Sequence, residues 1–380
     1  MIQRDAGGTL KKLSKDYPVL VITGPRQSGK TTLVKSIFSD REYISFENPD
    51  VREMAISDPR GFLSRYRDGA VFDEIQRAPD LLSYMQQIID ENIRPGMFIL
   101  TGSQQFGLIS GITQSLAGRS ALVRLLPFTL HEWYGTNINV PIDQVLYSGL
   151  YPPVHDRKLD PSLWYANYIN TYIERDVRQL VNVRDLNTFQ RFVRLCAGRT
   201  GNLVNLSDLA SDCGITHNTA RSWLSILEAS YIIFLLSPYH KNYNKRIIKT
   251  PKLYFYDTGL ACWLLSIQND EQVNSHPMRG PLFESFIISE YFKSSFNKGL
   301  PGFYYFWRDR SGNEIDLLIE EGGKIRPVEI KSGATLNTDY FKGLHRFASI
   351  ASDIIEPTLI YGGDDSLSHA GVTVTSWREI

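Results

Sequence analysis

The chain has 380 residues, of which 42% are hydrophobic and 22% are charged, so it can form two or three domains with apolar cores. Its 41 basic and 41 acidic side chains cancel, and no overall charge therefore indicates a nucleic acid or a membrane as partner. The chain has no run of eighteen apolar residues and no signal-peptide pattern, which predicts a cytoplasmic protein without a membrane segment. Cys196, Cys213 and Cys262 form no C-x-x-C pair, which favours reduced thiols over a zinc site.

Residues 19–34, VLVITGPRQSGKTTLV, fit the pattern G-x-x-x-x-G-K-[ST]. The apolar, β-branched start predicts a buried parallel strand, and the residues after the second glycine have a helical period. Glycines allow the backbone to turn its N–H groups towards an anion, and the helix N-terminus favours negative charge. The pattern predicts that the phosphates of ATP are bound by Gly24, Pro25, Arg26, Gln27, Ser28, Gly29, Lys30, Thr31 and Thr32. Lys30 is expected to reach the β- and γ-phosphates, and the Thr31 hydroxyl to ligate Mg²⁺.

Two acidic residues follow a predicted strand at 69–76, after an earlier strand at 42–46. Ligands of open α/β sheets bind at the carboxyl ends of the strands, where Asp73 and Glu74 would lie. Asp73 is predicted to hold Mg²⁺ through its water shell, and Glu74 to orient or activate the attacking water. A solvated carboxylate pair is the alternative interpretation.

The next predicted strand, within residues 96–106, ends in a polar residue, Ser103. This side chain could lie between the acidic pair and the γ-phosphate, or it could be an ordinary polar strand end. Arg119, in the motif SLAGR, is a candidate for stabilising charge in the transition state, in cis or across the interface of a homo-oligomer. A plain surface arginine is the alternative.

Together these motifs resemble those of the prokaryotic AAA-type ATP-binding proteins that are fused to a C-terminal domain of unknown function. The residues that carry the resemblance are, in this order, GPRQSGKTTL, VFDEIQRAPDLL, FILTGS, SLAGR, PFTLHEW, GLYPPV and YIERDV. The resemblance runs over nearly the whole chain. The resemblance implies an ATPase core with an added strand between the phosphate loop and the acidic strand, and it makes Glu74 the catalytic carboxylate. The segment SGLYPP at 148–153 departs from the family, which more often has a second glycine before the tyrosine.

The middle of the chain is predicted to be helical. The segment that starts at Pro161 places apolar side chains along one face, which suits the lid of an ATPase domain, with Arg175 and Arg178 on the polar side. Residues 205–239 then predict two short helices joined at Gly214 and followed by a strand, and residues 252–257 predict a second strand. This order is that of a winged helix-turn-helix.

Basic residues follow the first strand of this predicted winged helix: Lys241, Lys245, Arg246, Lys249 and Lys252. They are interleaved with tyrosine and predict contact with the backbone of DNA or RNA. Winged helices also serve as protein-contact modules, and that alternative stays open.

The last hundred residues predict a helix, three strands, a helix and a strand, which is the αβββαβ core of the PD-(D/E)xK nuclease fold. Four residues match its site: Glu284 on the first helix, Asp316 on the second strand, and Glu329 and Lys331 on one face of the third. Asp316 and Glu329 are predicted to hold Mg²⁺ with help from Glu284, and Lys331 to polarise the attacking water or to stabilise the charged phosphorane. Because E-x-K also arises by chance, a surface hairpin with ordinary charges is the alternative.

The predicted fold class is therefore α/β. It comprises an AAA-type P-loop sheet at 1–155, a helical lid at 156–200, a winged helix at 201–272 and a nuclease-like domain at 273–380. The predicted activity is ATP hydrolysis with Mg²⁺, coupled to nucleic-acid binding or to Mg²⁺-dependent cleavage. The alternative is a nucleotide-switched binding protein whose C-terminal domain holds a partner without catalysis.

Overall fold

The structure is a computed structural model that describes residues 2–103, 111–112, 114–172, 186–239, 250–309, 311–351 and 353–380. The chain divides into two compact units. The first unit consists of Met1–Glu132, Ala229–Tyr231 and Lys293–Pro301, and the second of Trp133–Glu228, Ile232–Phe292 and Gly302–Ile380.

The strands are β1 Val19–Thr23, β2 Glu42–Ser45, β3 Ala70–Asp73, β4 Phe98–Gly102, β5 Ser120–Arg124, β6 Ile233–Pro238, β7 Lys252–Phe255, β8 Tyr304–Arg308, β9 Glu314–Glu321, β10 Lys324–Lys331, β11 Thr358–Tyr361, β12 Leu367–His369 and β13 Val372–Ser376. The α-helices span Ala6–Leu13, Lys30–Ile37, Pro49–Ser57, Pro59–Ser64, Leu81–Glu91, Leu130–Tyr134, Ile142–Ser148, Pro152–Asp156, Pro161–Tyr172, Leu186–Ala197, Leu206–Cys213, His217–Ala229, Thr258–Leu264, Asp270–Ser275, Arg279–Asn297 and Lys342–Ile350. Short 3₁₀ turns lie at Ile75–Arg77, Thr338–Phe341 and Trp377–Glu379.

The first unit is built on a five-stranded parallel sheet in the order β2-β3-β4-β1-β5. The central strand β1 is buried along its whole length, because Val19 and Val21 pack into the core on one face while Leu20 and Ile22 pack into the core on the other. This explains why its sequence is a continuous apolar run rather than an alternating one. In the register of the sheet Thr23 pairs with Gly102 and with Arg124, so the carboxyl ends of these strands share one edge.

The second unit contains an eight-stranded mixed sheet in the order β12-β13-β11-β10-β9-β8-β6-β7. The β6–β7 pair is antiparallel, and β6 continues the sheet by pairing in parallel with β8. The strands of the predicted winged helix therefore share a sheet with the strands of the predicted nuclease-like domain. Helix Lys342–Ile350 covers β9 and β10 with Leu344 and Phe347 in the core.

Most of the predicted elements are present in the described residues. The predicted strands at 42–46, 69–76, 314–320, 324–330 and 358–362 correspond to β2, β3, β9, β10 and β11. Strand β4 lies between β1, which precedes the phosphate loop, and β3, which ends in Asp73, and this is the position that the family resemblance implies for the added strand. The end of the predicted lid helix, with Arg175 and Arg178, lies outside the described residues, as do Lys241, Lys245, Arg246 and Lys249.

Candidate functional site

The phosphate loop connects β1 to helix Lys30–Ile37, as the motif predicts. Gly24 has a φ of 150°, and a Cβ there would lie 2.0 Å from the carbonyl oxygen of Leu125, so only glycine fits. Gly29 has a φ of 93° and begins the helix from a left-handed conformation. Between them Pro25 and Ser28 are buried, Arg26 is half-buried and Gln27 is exposed; beyond them Thr32 is exposed at the start of the helix.

Two buried polar groups of this loop are relevant to ligand binding. The Lys30 ammonium donates to the carbonyl oxygens of Gly24 at 3.0 Å and Pro25 at 2.7 Å, so it lies folded over the loop. The Ser28 hydroxyl is fully buried and has no hydrogen-bond partner within the described part of the chain. Such a buried polar atom is rare in folded proteins and indicates a missing partner.

Asp73 links three strands at the carboxyl edge of the sheet. Its carboxylate accepts hydrogen bonds from Thr31 Oγ1 at 3.1 Å and from the hydroxyls of Tyr43 and Thr101. Asp73 is only 5% exposed. The two side chains predicted to serve Mg²⁺, Thr31 and Asp73, are therefore adjacent and held in place by neighbours.

Glu74 has a left-handed backbone conformation, with φ at 58° and ψ at 42°. This conformation is unfavourable for a residue with a side chain and is often found at functional sites. The Glu74 carboxylate accepts a hydrogen bond from Ser103 Oγ at 3.2 Å and another from the Gln76 amide. The structure thus brings Glu74 and Ser103 together as the sequence predicts.

Arg119 lies elsewhere. It precedes β5, and its carbonyl accepts a hydrogen bond from Val19 N, so it stands at the amino edge of the sheet. Its guanidinium forms a bidentate ion pair with Asp90, at 2.6 and 2.9 Å. A role for Arg119 at the nucleotide site of its own chain is therefore wrong, because a whole strand separates it from the phosphate loop.

Three further residues from distant parts of the sequence lie at the edge of the sheet that carries the phosphate loop, and the motifs did not reveal them. Arg4 is buried and donates to the backbone of Ser28 at 2.8 Å and of Leu126 at 2.7 Å, while it pairs with Glu132. Arg124 ends β5 beside Thr23, at the same edge as the phosphate loop. Tyr231 shares a hydrogen bond of 2.8 Å with Thr23.

A second group of charged side chains lies in the eight-stranded sheet and the helix Arg279–Asn297. Lys331 Nζ is 2.6 Å from Glu329 Oε1 and 3.4 Å from Asp316 Oδ2. The backbone N–H of Ile330 donates to the same Asp316 oxygen at 2.8 Å. Asp316 and Glu329 are both 8% exposed, and Glu329 Oε2 has no hydrogen-bond partner within the described part of the chain.

Glu284 belongs to the same group, but two residues that the nuclease pattern does not include hold it. Lys252 Nζ is 3.2 Å from Glu284 Oε1 and also contacts Glu314, and the Tyr254 hydroxyl donates to Glu284 Oε1. Lys252 is 3% exposed. The prediction that Lys252 contacts a nucleic-acid backbone is therefore wrong, because its ammonium is buried against carboxylates.

Burial and mutual repulsion shift the acidity of this group. Burial, followed by the nearby Asp316 carboxylate, raises the pKa of Glu284 to about 7 and that of Glu329 to about 8. Burial alone would lower the pKa of Lys331, but Asp316 and Glu329 outweigh it and raise that pKa. Among the residues that the structure describes, no group of three or more His, Cys, Asp or Glu side chains is arranged to hold a metal ion.

A family model described as "AAA domain" matches residues 16–134. Two models described as domains of unknown function, DUF8612 and DUF4143, match residues 141–271 and 279–380. The predicted AAA domain is thus confirmed, whereas the winged helix and the nuclease-like fold stay predictions. No helix in the described ranges has the length and apolar character needed to cross a membrane.

Two curated relatives match most of the chain: the uncharacterised proteins Mb2031c of Mycobacterium bovis and Rv2008c of Mycobacterium tuberculosis. Each is 32% identical over 337 residues, which are 88% of this chain and 74% of the relative.

Solved structures show weaker similarity. The Walker-type ATPase PABY2304 of Pyrococcus abyssi is 16% identical, with 70% of this chain and 96% of that chain covered and a TM-score of 0.47. AMPPCP-bound DnaA from Aquifex aeolicus is 14% identical, with 59% and 85% covered and a TM-score of 0.30.

Proposed function

Since this chain belongs to the same family as Rv2008c and Mb2031c and contains an AAA domain, we propose that it binds ATP with Mg²⁺ and hydrolyses it. The observation that carries the proposal is the phosphate loop itself. Its backbone turns at two glycines in conformations that a side chain would obstruct or strain. Its buried Ser28 hydroxyl has no hydrogen-bond partner among the residues that the structure describes. The oxygen atoms of a nucleotide phosphate can accept hydrogen bonds from the donors of this loop.

The side chains around the loop suit Mg²⁺ as well. Thr31 and Asp73 provide hard oxygen atoms, which Mg²⁺ prefers, and they lie side by side next to the phosphate loop. When bound, Mg²⁺ would neutralise phosphate charge that develops during hydrolysis. Lys30 would exchange its two carbonyl acceptors for phosphate oxygens.

Glu74 is the residue that we assign to the attacking water. It lies at the carboxyl edge of the sheet, in a conformation that requires support from its surroundings, and Ser103 and Gln76 hold its carboxylate. A carboxylate held in this way can accept a proton from water or orient it. Ser103 serves here as a positioning residue.

The test is ATP binding and turnover by two variants. Lys30→Ala should lose nucleotide binding, because the phosphates lose their cation. Glu74→Gln should keep binding and slow hydrolysis by at least about a hundredfold, since a general base contributes on the order of 10²–10⁴-fold. Lys11→Ala, which changes an exposed lysine, is the control. Wild-type turnover in Glu74→Gln would overturn the role of that carboxylate.

A homo-oligomer is part of the proposal, because it is the arrangement in which Arg119 could serve the nucleotide site of another subunit. Arg119→Ala and Glu74→Gln should each be nearly inactive alone. A mixture of the two should recover activity, because some sites then combine an intact Glu74 with an intact Arg119. Full activity of Arg119→Ala would leave Arg119 as the surface partner of Asp90.

A second candidate function concerns the C-terminal group of charged residues. The contacts of Lys331 with Asp316 and Glu329 support the predicted metal-dependent cleavage of phosphodiester bonds. The residue types suit a hard divalent cation, and Glu329 Oε2 has no hydrogen-bond partner in the described ranges of the chain. Their arrangement does not suit one, because within the described ranges the carboxylates face lysine ammonium groups and form no metal-binding group of three.

The nuclease candidate and its rival, a non-catalytic binding module for nucleic acid or another partner, differ in two measurements. Calorimetric titration with Mn²⁺ in the absence of nucleotide should detect a binding event that Asp316→Asn removes. Single- and double-stranded DNA and RNA should be cleaved by the wild type and not by Lys331→Ala, whose ATP turnover should stay intact. If no Mn²⁺ binds and no nucleic acid is cut with or without ATP, the binding module is the correct interpretation.

A further inference from the structure

Lys252 is a buried lysine whose ammonium group lies among carboxylates in the folded protein. It is the first residue of β7, and its side chain is 4% exposed. Lysine is almost never buried to this degree unless it is paired. Here the ammonium is shared between Glu284 on helix Arg279–Asn297, at 3.2 Å, and Glu314 at the start of β9.

The strand geometry explains this arrangement. Lys252 and Tyr254 are two residues apart on β7 and therefore face the same side of the sheet, where both reach Glu284 Oε1. Glu314 and Asp316 are likewise two apart on β9. The two pairs on β7 and β9, together with Glu284 from the helix, thus bring one lysine, one tyrosine and three carboxylates together.

The electrostatics indicate what the lysine does. The buried Lys252 ammonium faces carboxylates from both helix Arg279–Asn297 and β9, and opposite charges attract each other strongly where water is excluded. Glu314 has a second cation, Arg308, at 3.4 Å. Glu284 has Lys252 as its cation and Tyr254 as a neutral donor, and it lies near the like charge of Asp316.

We propose that Lys252 is a positioning residue that neutralises and fixes Glu284 from within the fold, in place of a metal ion. Glu284 then has a cation of its own within the fold and is not free to act as a ligand in the predicted metal site. Lys252 does not act on substrate, because its ammonium is buried. The inference does not need the proposed cleavage activity, since an ion pair between Lys252 and Glu284 exists with or without a metal.

The test is a double-mutant cycle on the full chain in the presence of a chelator. The variants are Lys252→Met, Glu284→Gln and the double variant, and the measurement is the hydrogen-exchange rate of backbone amides in β7 and in helix Arg279–Asn297. Lys252→Met should raise these rates by at least about tenfold, because it leaves a buried carboxylate without its cation. In the Glu284→Gln background the same substitution should have a much smaller effect, and Lys252→Arg should restore slow exchange.

The matched control is the exposed ion pair of Lys342 with Asp339, which is 2.6 Å long and has side chains 76% and 65% exposed. Lys342→Met and Asp339→Asn should change exchange by about twofold or less and show no coupling.

Equal effects of Lys252→Met with and without Glu284→Gln would overturn the proposal. If Lys252→Met does not fold, the double variant decides: folding supports the ion pair, and failure to fold overturns it. Because chelator removes metal throughout, this result is independent of any Mn²⁺ titration.

Discussion

The hydroxyl of Tyr231 lies 2.8 Å from Oγ1 of Thr23, although 208 residues separate them in the sequence. Thr23 is the last residue of β1 and immediately precedes the phosphate loop. Tyr231 is 3% exposed and has a φ of 58°, which is unusual for an aromatic residue. Burial raises the pKa of the Tyr231 hydroxyl, and hydrogen bonds with Thr23 and Arg124 oppose part of this rise. A strained, buried tyrosine therefore supports the start of the nucleotide site.

We expect Tyr231→Phe to weaken ATP binding a few-fold, because the Thr23 hydroxyl loses a buried partner worth about 1 kcal/mol. The measurement is the affinity for a non-hydrolysable ATP analogue by calorimetry. Thr23→Val should have a similar effect, and the double variant should add little to either. Tyr17→Phe, at a tyrosine that is 36% exposed, is the control. Unchanged affinity in both single variants would show that the hydrogen bond does not support the loop.

Gly24→Ala should abolish nucleotide binding while the protein still folds. The added Cβ would lie 2.0 Å from the backbone oxygen of Leu125, so the loop must move, and strain of this kind costs about 1–3 kcal/mol. Gly8→Ala is the matched control, because a Cβ there meets no atom within 4 Å and helix Ala6–Leu13 should gain slightly in stability. Thermal unfolding and nucleotide affinity of both variants are the measurements. Normal affinity in Gly24→Ala would contradict the proposed fit of the loop.

The nucleotide site could be predicted because its residues are contiguous or end neighbouring strands. The phosphate loop is a local pattern, and Asp73 and Glu74 end an apolar strand. Arg4, Arg124 and Tyr231 could not be predicted, because their contacts depend on how distant segments pack. The position of Arg119 could not be predicted for a related reason. It immediately precedes β5, and the direction of β5 in the parallel sheet places it at the amino edge, away from the phosphate loop of its own chain.

The charged residues of the eight-stranded sheet also show that contacts between neighbouring elements can be predicted from the sequence, whereas contacts between distant segments cannot. The order of elements predicted that Asp316, Glu329 and Lys331 meet, since their strands are adjacent in sequence. Lys252 looked like part of an exposed basic segment, because no local pattern shows that β7 continues the sheet through β6. Helix Pro161–Tyr172 gives a smaller example: its sequence predicts one apolar face, yet Leu163 is 69% exposed, whereas Trp164 is buried.

Asp73→Asn should raise the Mg²⁺ concentration needed for ATP hydrolysis by at least about tenfold. The substitution keeps the shape and some of the contacts with Thr31, Tyr43 and Thr101 but removes the charge that attracts the cation. The measurement is turnover as a function of Mg²⁺ at fixed ATP. Asp16→Asn, the same change at an exposed aspartate before β1, should leave the Mg²⁺ dependence unchanged. An unaltered Mg²⁺ requirement in Asp73→Asn would exclude Asp73 from the metal site.

Glu228, near the end of helix His217–Ala229, should make the stability of its unit depend on pH. Burial raises the pKa of this carboxyl, and a hydrogen bond with the backbone of Leu235 only partly opposes the rise. The folded state therefore keeps the proton at pH values where the unfolded chain has already lost it. Stability is highest below the ordinary pKa of glutamate and decreases as the pH rises from there through the raised pKa of the folded state.

Glu228→Gln should remove this decrease, because the amide has nearly the same shape and does not ionise in this range. The measurement is hydrogen exchange in helix His217–Ala229 at several pH values, corrected for the intrinsic pH dependence of exchange. His217 and Arg221 are exposed on the same helix and line the same surface pocket as Glu228. The control is therefore placed on another helix, where Glu271→Gln changes an exposed glutamate. The variant and the wild type should agree at low pH and diverge above it, with the variant the more stable. Parallel curves at all pH values would mean that Glu228 titrates alike in the folded and unfolded states.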